Sequence, residues 1–273
     1  MLGIKTFSQK LSLYSFVGLF LQHKSIFVKK KTIACIVCCL ISIYLFTQND
    51  AYNSTADAFY KSGVLKYDLG DYKGAIEDYT KSINVDPKYV KAHITYYNRG
   101  ISKSMLKDYP GAEKDYTQAI TLHPKNAKAY IMRGIAKCKS GGYKTALIDF
   151  TQAISLEPLN EQAYYNRANA KSALGDYKTA IPDYTMVIKI NVKNVLAYNN
   201  RGIARFETGN SKEALADYNK AIALDPQHAG SYYNRGLVKY NAGDKNGACQ
   251  DWKKASDLGN KSAYKKMIDN CDN

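Results

Sequence analysis

A period of 34 residues runs through this sequence and decides what it can build. Small residues stand at Gly63, Gly100, Gly134, Ala168, Gly202 and Gly236, at spacings of 37 and then four times 34. Twelve residues after each comes Ala75, Ala112, Ala146, Ala180, Ala214 or Ala248, and twelve further on comes Pro87, Pro124, Pro158, Val192, Pro226 or Asn260. Self-similarity of this kind marks an array in which each unit packs on its neighbours. Each unit reads as two helical stretches around a turn, as in Gly70-Asp71-Tyr72, Gly175-Asp176-Tyr177 and Gly243-Asp244. Glycine ends the first helix in the left-handed conformation, and aspartate caps the free amides of the second. Tyr72, Ala75, Ile76, Tyr79 and Ile83 fall at helical spacing, and Asp86-Pro87 stops that helix. One hairpin cannot bury both of its apolar faces, so the units must stack. The small columns mark places where two helix backbones come too close for a larger side chain. Pro182 falls inside the second helix of the fourth unit and predicts a kink there or a shifted start.

These columns resemble the tetratricopeptide repeat family, whose unit carries an aromatic, Gly, Ala, an aromatic, Ala and Pro in order. The third unit matches throughout with Tyr130, Gly134, Ala146, Phe150, Ala153 and Pro158, whereas the fourth departs at Ala168 and Val192. The resemblance implies an all-α, right-handed solenoid of six hairpins at 56–89, 93–126, 127–160, 161–194, 195–228 and 229–262. Val90 to Ala92 lie beyond the repeat, and residues 263–273 form a capping helix in which Tyr264, Met267 and Ile268 cover the last face.

Residues 1–50 read differently. An apolar run Leu11 to Leu21 precedes a basic stretch Lys24 to Lys31 and a second apolar run Ile33 to Phe46. Lysines followed by 14 uncharged, mostly apolar residues have the layout of a signal peptide, or of a short membrane anchor over 32–47. Cuts after Thr47, Ala51 or Ala56 are the alternatives, and the true start is expected downstream of Met1, near Val28. The lysines stay on the cytoplasmic side, so the repeats are expected outside the cytoplasm, secreted, periplasmic or membrane-anchored.

By resemblance, such arrays hold an extended peptide or a partner helix on the concave surface lined by their first helices. That surface is expected to include Tyr60, Tyr97, Asn98, Ile101, Ile131, Tyr165, Asn166, Asn169, Asn199, Asn200, Tyr233 and Asn234. Asn pairs a donor and an acceptor with a peptide backbone, and Tyr, which supplies 24 of the 33 aromatics, offers contact area at low entropic cost. Asn98, Asn166, Asn200 and Asn234 recur in register, so hydrogen bonding between helices explains them equally well. The clamp by which some members capture acidic chaperone tails needs Lys and then Asn four residues later. Tyr60 and Val64, Tyr97 and Ile101, and Tyr165 and Asn169 do not meet it.

Arg99, Arg133, Arg167, Arg201 and Arg235 recur with Asp115, Asp149, Asp183, Asp217 and Asp251, which suggests a pairing ladder between helices. A second basic column, Lys66, Lys103, Lys137, Lys171, Arg205 and Lys239, interleaves with tyrosines and offers the competing reading, nucleic acid or an anionic surface. The net charge of +15, of which +5 sits in residues 1–50, permits it. Export and the shared register of these residues with scaffold columns speak against it.

Catalysis has no motif. His23, His93, His123 and His228 have no metal-ligand spacing, and no phosphate loop or nucleophile elbow occurs. No cofactor is expected. Cys35, Cys38 and Cys39 read as apolar filler, Cys138 as packing, and Cys249 with Cys271 as a disulfide or two buried thiols. Asn53 and Asn260 fit the glycosylation pattern, which is too short to decide anything.

Overall fold

The computed structural model describes residues 30–87 and 89–271, without the side chains of 30–36 and 43–51. The chain divides into two compact units, 1–52 and 53–273. All described regular structure is helical: α1 (Lys30–Asp68), α2 (Tyr72–Val85), α3 (Ala92–Met105), α4 (Tyr109–Leu122), α5 (Ala127–Lys139), α6 (Tyr143–Leu156) and α7 (Glu161–Ala173). Then follow α8 (Tyr177–Ile190), α9 (Val195–Glu207), α10 (Ser211–Leu224), α11 (Ala229–Asn241), α12 (Lys245–Asp257) and α13 (Lys261–Cys271). In the first unit the described side chains of α1 include Cys38, Cys39, Leu40 and Ile41, all exposed. The signal or anchor segment expected at 32–47 lies mostly outside the described side chains. Among the described residues no helix is long and apolar enough to cross a membrane.

In the second unit, helices pack in sequence, each on the next, as an α-solenoid. The second helices begin where Asp71, Asp108, Asp176 and Asp244 accept the amides of Gly74, Gly111, Thr179 and Gly247. The first helices begin at Asn126, Asn160, Asn194 and His228, whose side chains do the same for Ala129, Ala163, Ala197 and Ser231. Five of the six hairpin turns carry a left-handed glycine. The second places Lys107 there, at φ 64°, where an L side chain crowds its own backbone.

Each hairpin closes on an aromatic ring. Tyr79, Tyr116, Phe150, Tyr184, Tyr218 and Trp252 are all buried, and five of the six lie against the glycine column. A Cβ at Gly134 would stand 2.6 Å from Phe150 Cε1, and one at Gly202 would stand 2.7 Å from Tyr218 Cε1. The fourth hairpin fits Ala168 in this place, and there Tyr184 turns more nearly edge-on to Tyr165, at 66° against 40° for Tyr60 and Tyr79. Each ring's burial contributes about 1.5–3 kcal/mol.

One expectation changes and two alternatives narrow. Pro182 leaves α8 at the 14 residues of α2, α4, α6 and α10, and the helix still starts at Tyr177 behind its Asp176 cap. The start is therefore unshifted. In α13 the face toward Trp252 is Ala263, Met267 and Cys271, whereas Tyr264 and Ile268 are exposed by 54% and 47%. They sit one residue, about 100°, round the helix from the packed stripe. Cys249 and Cys271 are bonded across α12 and α13, with Cα atoms 5.7 Å apart. The residues around 89–91 also have a structural use, because Tyr89 is buried against Ala56 and Ala92 and its hydroxyl meets Ser82 and Thr95.

Candidate functional site

The polar columns separate into scaffold and groove once their partners are known. Arg99, Arg133, Arg167, Arg201 and Arg235 each fork onto the aspartate sixteen residues on, as with Arg167 Nε and Nη2 to Asp183 at 2.9 and 2.6 Å. The remaining Nη1 reaches back to the preceding hairpin, donating to Thr80, Thr117, Thr151, Thr185 or Asn219. Each guanidinium also lies 5.4–5.7 Å from the ring of the tyrosine three residues before it. The same aspartates take the second basic column. Lys103, Lys137, Lys171, Arg205 and Lys239 pair with them at 2.7–2.8 Å, and Lys66 pairs with Asp78 at 2.6 Å. Burial alone would raise the Asp78 pKa, but hydrogen bonds from Lys66, Ser62 and Lys81 outweigh it and hold the carboxyl well below the usual range. The column that suggested nucleic acid is thus held in ion pairs within each hairpin, two cations to one carboxylate in the second to sixth.

The groove residues are tied to one another more loosely. Asn98 Nδ2 reaches the Tyr60 hydroxyl at 3.5 Å. Asn200 Nδ2 donates to the Tyr165 hydroxyl at 3.1 Å and to Asn169 Oδ1 at 3.2 Å, and the latter also accepts from the Tyr184 hydroxyl at 2.7 Å. Asn234 donates to Asn199 Oδ1 at 3.0 Å. Each of these bonds but the last-named Tyr184 contact crosses from one hairpin to the next. The series is interrupted on both sides of the third hairpin, where Met132 replaces the donor toward the second, and where Ile131 replaces the acceptor toward the fourth and Asn166 donates to the Gln162 carbonyl of its own helix at 2.8 Å.

Two of the expected contact residues do not face an open groove. Ile131 is 1% exposed in the core with Phe150, and Asn199 is 7% exposed, holding Asn200, Ser231 and Asn234. Helical spacing places a residue on a face but does not set its depth. Tyr60, Tyr97, Asn98, Ile101, Tyr165, Asn166, Asn169, Asn200, Tyr233 and Asn234 are half-buried, as a preformed contact surface requires.

Two cavities open beside Asn98. One of about 210 Å³ is lined by Val64, Tyr67, Asp68, Tyr79, Asn98 and Ile101. The other, about 430 Å³, includes Tyr97 and Asn98 together with His93 and His123. These histidines carried no motif in the sequence and stand 30 residues apart, so only the fold brings them together. Burial, then the neighbouring His123, lowers the His93 pKa, against a hydrogen bond to the Val90 backbone that raises it. Burial pushes the hydroxyls of Tyr60 and Tyr97 up, and that of Tyr184 up to about 12. Burial likewise raises the Cys138 thiol. The groove therefore offers neutral phenols and amides, which hydrogen-bond without ionising.

Models of the tetratricopeptide repeat match residues 56–89 and 161–194, and a TPR repeat model matches 204–243. No curated protein matches the chain. Among solved structures, a crystal structure of MamA is 24% identical with a TM-score of 0.56, covering 60% of this chain and 96% of MamA. YrrB, described as a TPR protein with an unusual peptide-binding site, is 23% identical with a TM-score of 0.59, covering 70% of this chain and 97% of YrrB. A tetratricopeptide repeat protein from Parabacteroides merdae is 21% identical with a TM-score of 0.50, covering 79% of this chain and 98% of its own. At such identities the likeness speaks for the fold alone.

Proposed function

We propose that the chain, which is a tetratricopeptide repeat protein, acts as a non-enzymatic scaffold that holds an extended polypeptide segment along the groove of its first helices. The observation that carries this reading is the pair of cavities that share Asn98, each lined in part by side chains of first helices. They are large enough for single side chains, and Asn98, which lines both, can bond a peptide backbone. YrrB, with the same fold, is described as having a peptide-binding site. The half-buried tyrosines add contact area whose ordering cost is already met in the folded array.

The reading includes export. It is supported by the lysine-led apolar segment at 32–47 and by the bond between Cys249 and Cys271, since disulfides persist in oxidising compartments. Of the three cuts weighed above, the one after Ala56 fits least. Ala56 is fully buried, and its carbonyl accepts Ser82 Oγ at 2.7 Å.

Replacing Tyr97 and Tyr165 together by Ala should cut recovery of partner proteins from a lysate of the native cells by about tenfold or more, on the scale of central aromatic contacts. Undiminished recovery by a variant with an unaltered circular dichroism spectrum would remove the groove as the binding face. N-terminal sequencing and intact mass of the native protein test the export reading. A mature chain starting near residue 48 or 52, or a membrane-bound chain retaining 32–47, supports it. An intact chain in the cytoplasmic fraction overturns it.

A further inference from the structure

The larger cavity beside Asn98 has a chemistry the rest of the groove lacks. His93 and His123 stack there with ring centroids 5.1 Å apart and planes inclined by 29°. Lys125 and Lys128 line the same cavity, exposed and without an ion pair among the described residues. Its carboxylate, Glu157, accepts Asn160 Nδ2 at 2.6 Å. Lys125 recurs in the repeat as Lys88, Lys193 and Lys261, but the histidines do not. The positions matching His93 in the other hairpins are Ala56, Ala127, Glu161, Val195 and Ala229, and those matching His123 are Asp86, Glu157, Asn191, Asp225 and Gly259.

We propose that this pocket receives the carboxylate of an Asp or Glu side chain on the bound polypeptide. The proposal rests on the groove reading and specifies what one place in the groove selects. Two lysines without acidic partners supply the attraction, and the histidine pair supplies donors once it carries a proton. In the empty pocket burial and the neighbouring His123 ring oppose a charge on His93, a hydrogen bond to the Val90 backbone favours it, and Lys125, Lys128 and Glu157 line the same cavity. A carboxylate set among them provides the missing counter-charge, so binding takes up a proton and strengthens as the solution becomes more acidic. A phosphate fits less well. No arginine fork lines the cavity, and Glu157 opposes a second negative charge.

The full chain is titrated with a fluorescein-labelled, C-terminally amidated hexaglutamate peptide, and anisotropy is read at pH 7.5 and 5.5, where glutamate with its ordinary pKa of about 4.3 remains ionised. Affinity should rise about tenfold between the two, equivalent to one unit of pKa displacement on binding. His93→Gln with His123→Gln should abolish that rise. Lys125→Gln with Lys128→Gln, which leaves the stacked rings untouched, should weaken binding by about tenfold at pH 7.5 and keep the rise. Binding unchanged in both variants overturns the proposal. Tighter binding of a phosphoserine peptide overturns the choice of carboxylate, and equal competition by free glutamate overturns the choice of a polypeptide. The lysate experiment separates the two levels. If Tyr97→Ala with Tyr165→Ala loses its partner while the histidine variant keeps it, the pocket proposal falls and the groove stands; if neither loses it, both fall.

Discussion

Lys107 shows most directly how a single residue can disagree with the repeat it belongs to. Five hairpin turns have glycine at the left-handed position, and this one has lysine at φ 64°. A side chain there costs about 1–2 kcal/mol, of which glycine's greater freedom in the unfolded chain returns part. Lys107→Gly should therefore stabilise the protein by about 0.5–1 kcal/mol, seen as a higher urea midpoint at unchanged slope. An unchanged or lower midpoint would show that the second turn relaxes around its lysine. Residue by residue, what the sequence revealed was what repetition enforces. The Gly63 to Gly236 column announced close approach, and each of its glycines indeed has a ring against it. Arg167 and Asp183 could be paired on paper because both recur. That Lys171 shares the same carboxylate was not legible, since a column of lysines reads equally as a solvated face. Depth was hidden too. Ile131 and Tyr165 occupy matching positions, yet one is core and the other half-exposed.

Among the helices, α13 depends most on a covalent tie. It has one neighbour, α12, and buries mainly Ala263 and Met267 beside the bond from Cys271 to Cys249. A loop of this length closed by a disulfide is worth on the order of 3 kcal/mol. That is much of what an eleven-residue helix can gain from one packed stripe. Reduction should thus release α13 before any hairpin opens. Hydrogen exchange followed by mass spectrometry, with and without reductant, should show protection lost across 261–271 and retained in α11. Equal loss in both would mean that the cap and the last hairpin unfold as one piece. The capping helix is visible in the sequence, and Met267 packs as expected, but Tyr264 and Ile268 lie one residue round from the packed stripe. With only eleven residues and a mixed apolar pattern, two stripes were nearly equivalent, and the cysteine position breaks the tie. The approach of His93 to His123 was invisible for a different reason: the repeat brings these two positions together, as Glu161 and Asn191 meet at 3.1 Å in the fourth hairpin, but only the second hairpin places histidines there.

Across the whole array, the contact between one hairpin and the next is the same contact repeated. Arg133, Arg167 and Arg201 bind their own aspartate with one edge and the preceding hairpin's threonine with the other. First helices open on Asn126, Asn160 and Asn194 in the same capping role. A chain lacking 127–160 would join Asn126 to Glu161 and present Thr117 to Arg167 in place of Thr151. That variant should fold with the same helicity per residue and melt in one transition by circular dichroism; aggregation or loss of helix would show that the hairpins are individually fitted. The first hairpin is the exception, with Ser62 where the others have arginine, and it offers only the threonine half of the joint, through Thr80. Where threonine meets arginine the joint therefore behaves as a standard coupling: the array is a modular ruler whose working length can be set in whole steps, by duplication or excision of a cassette that keeps both halves of that joint.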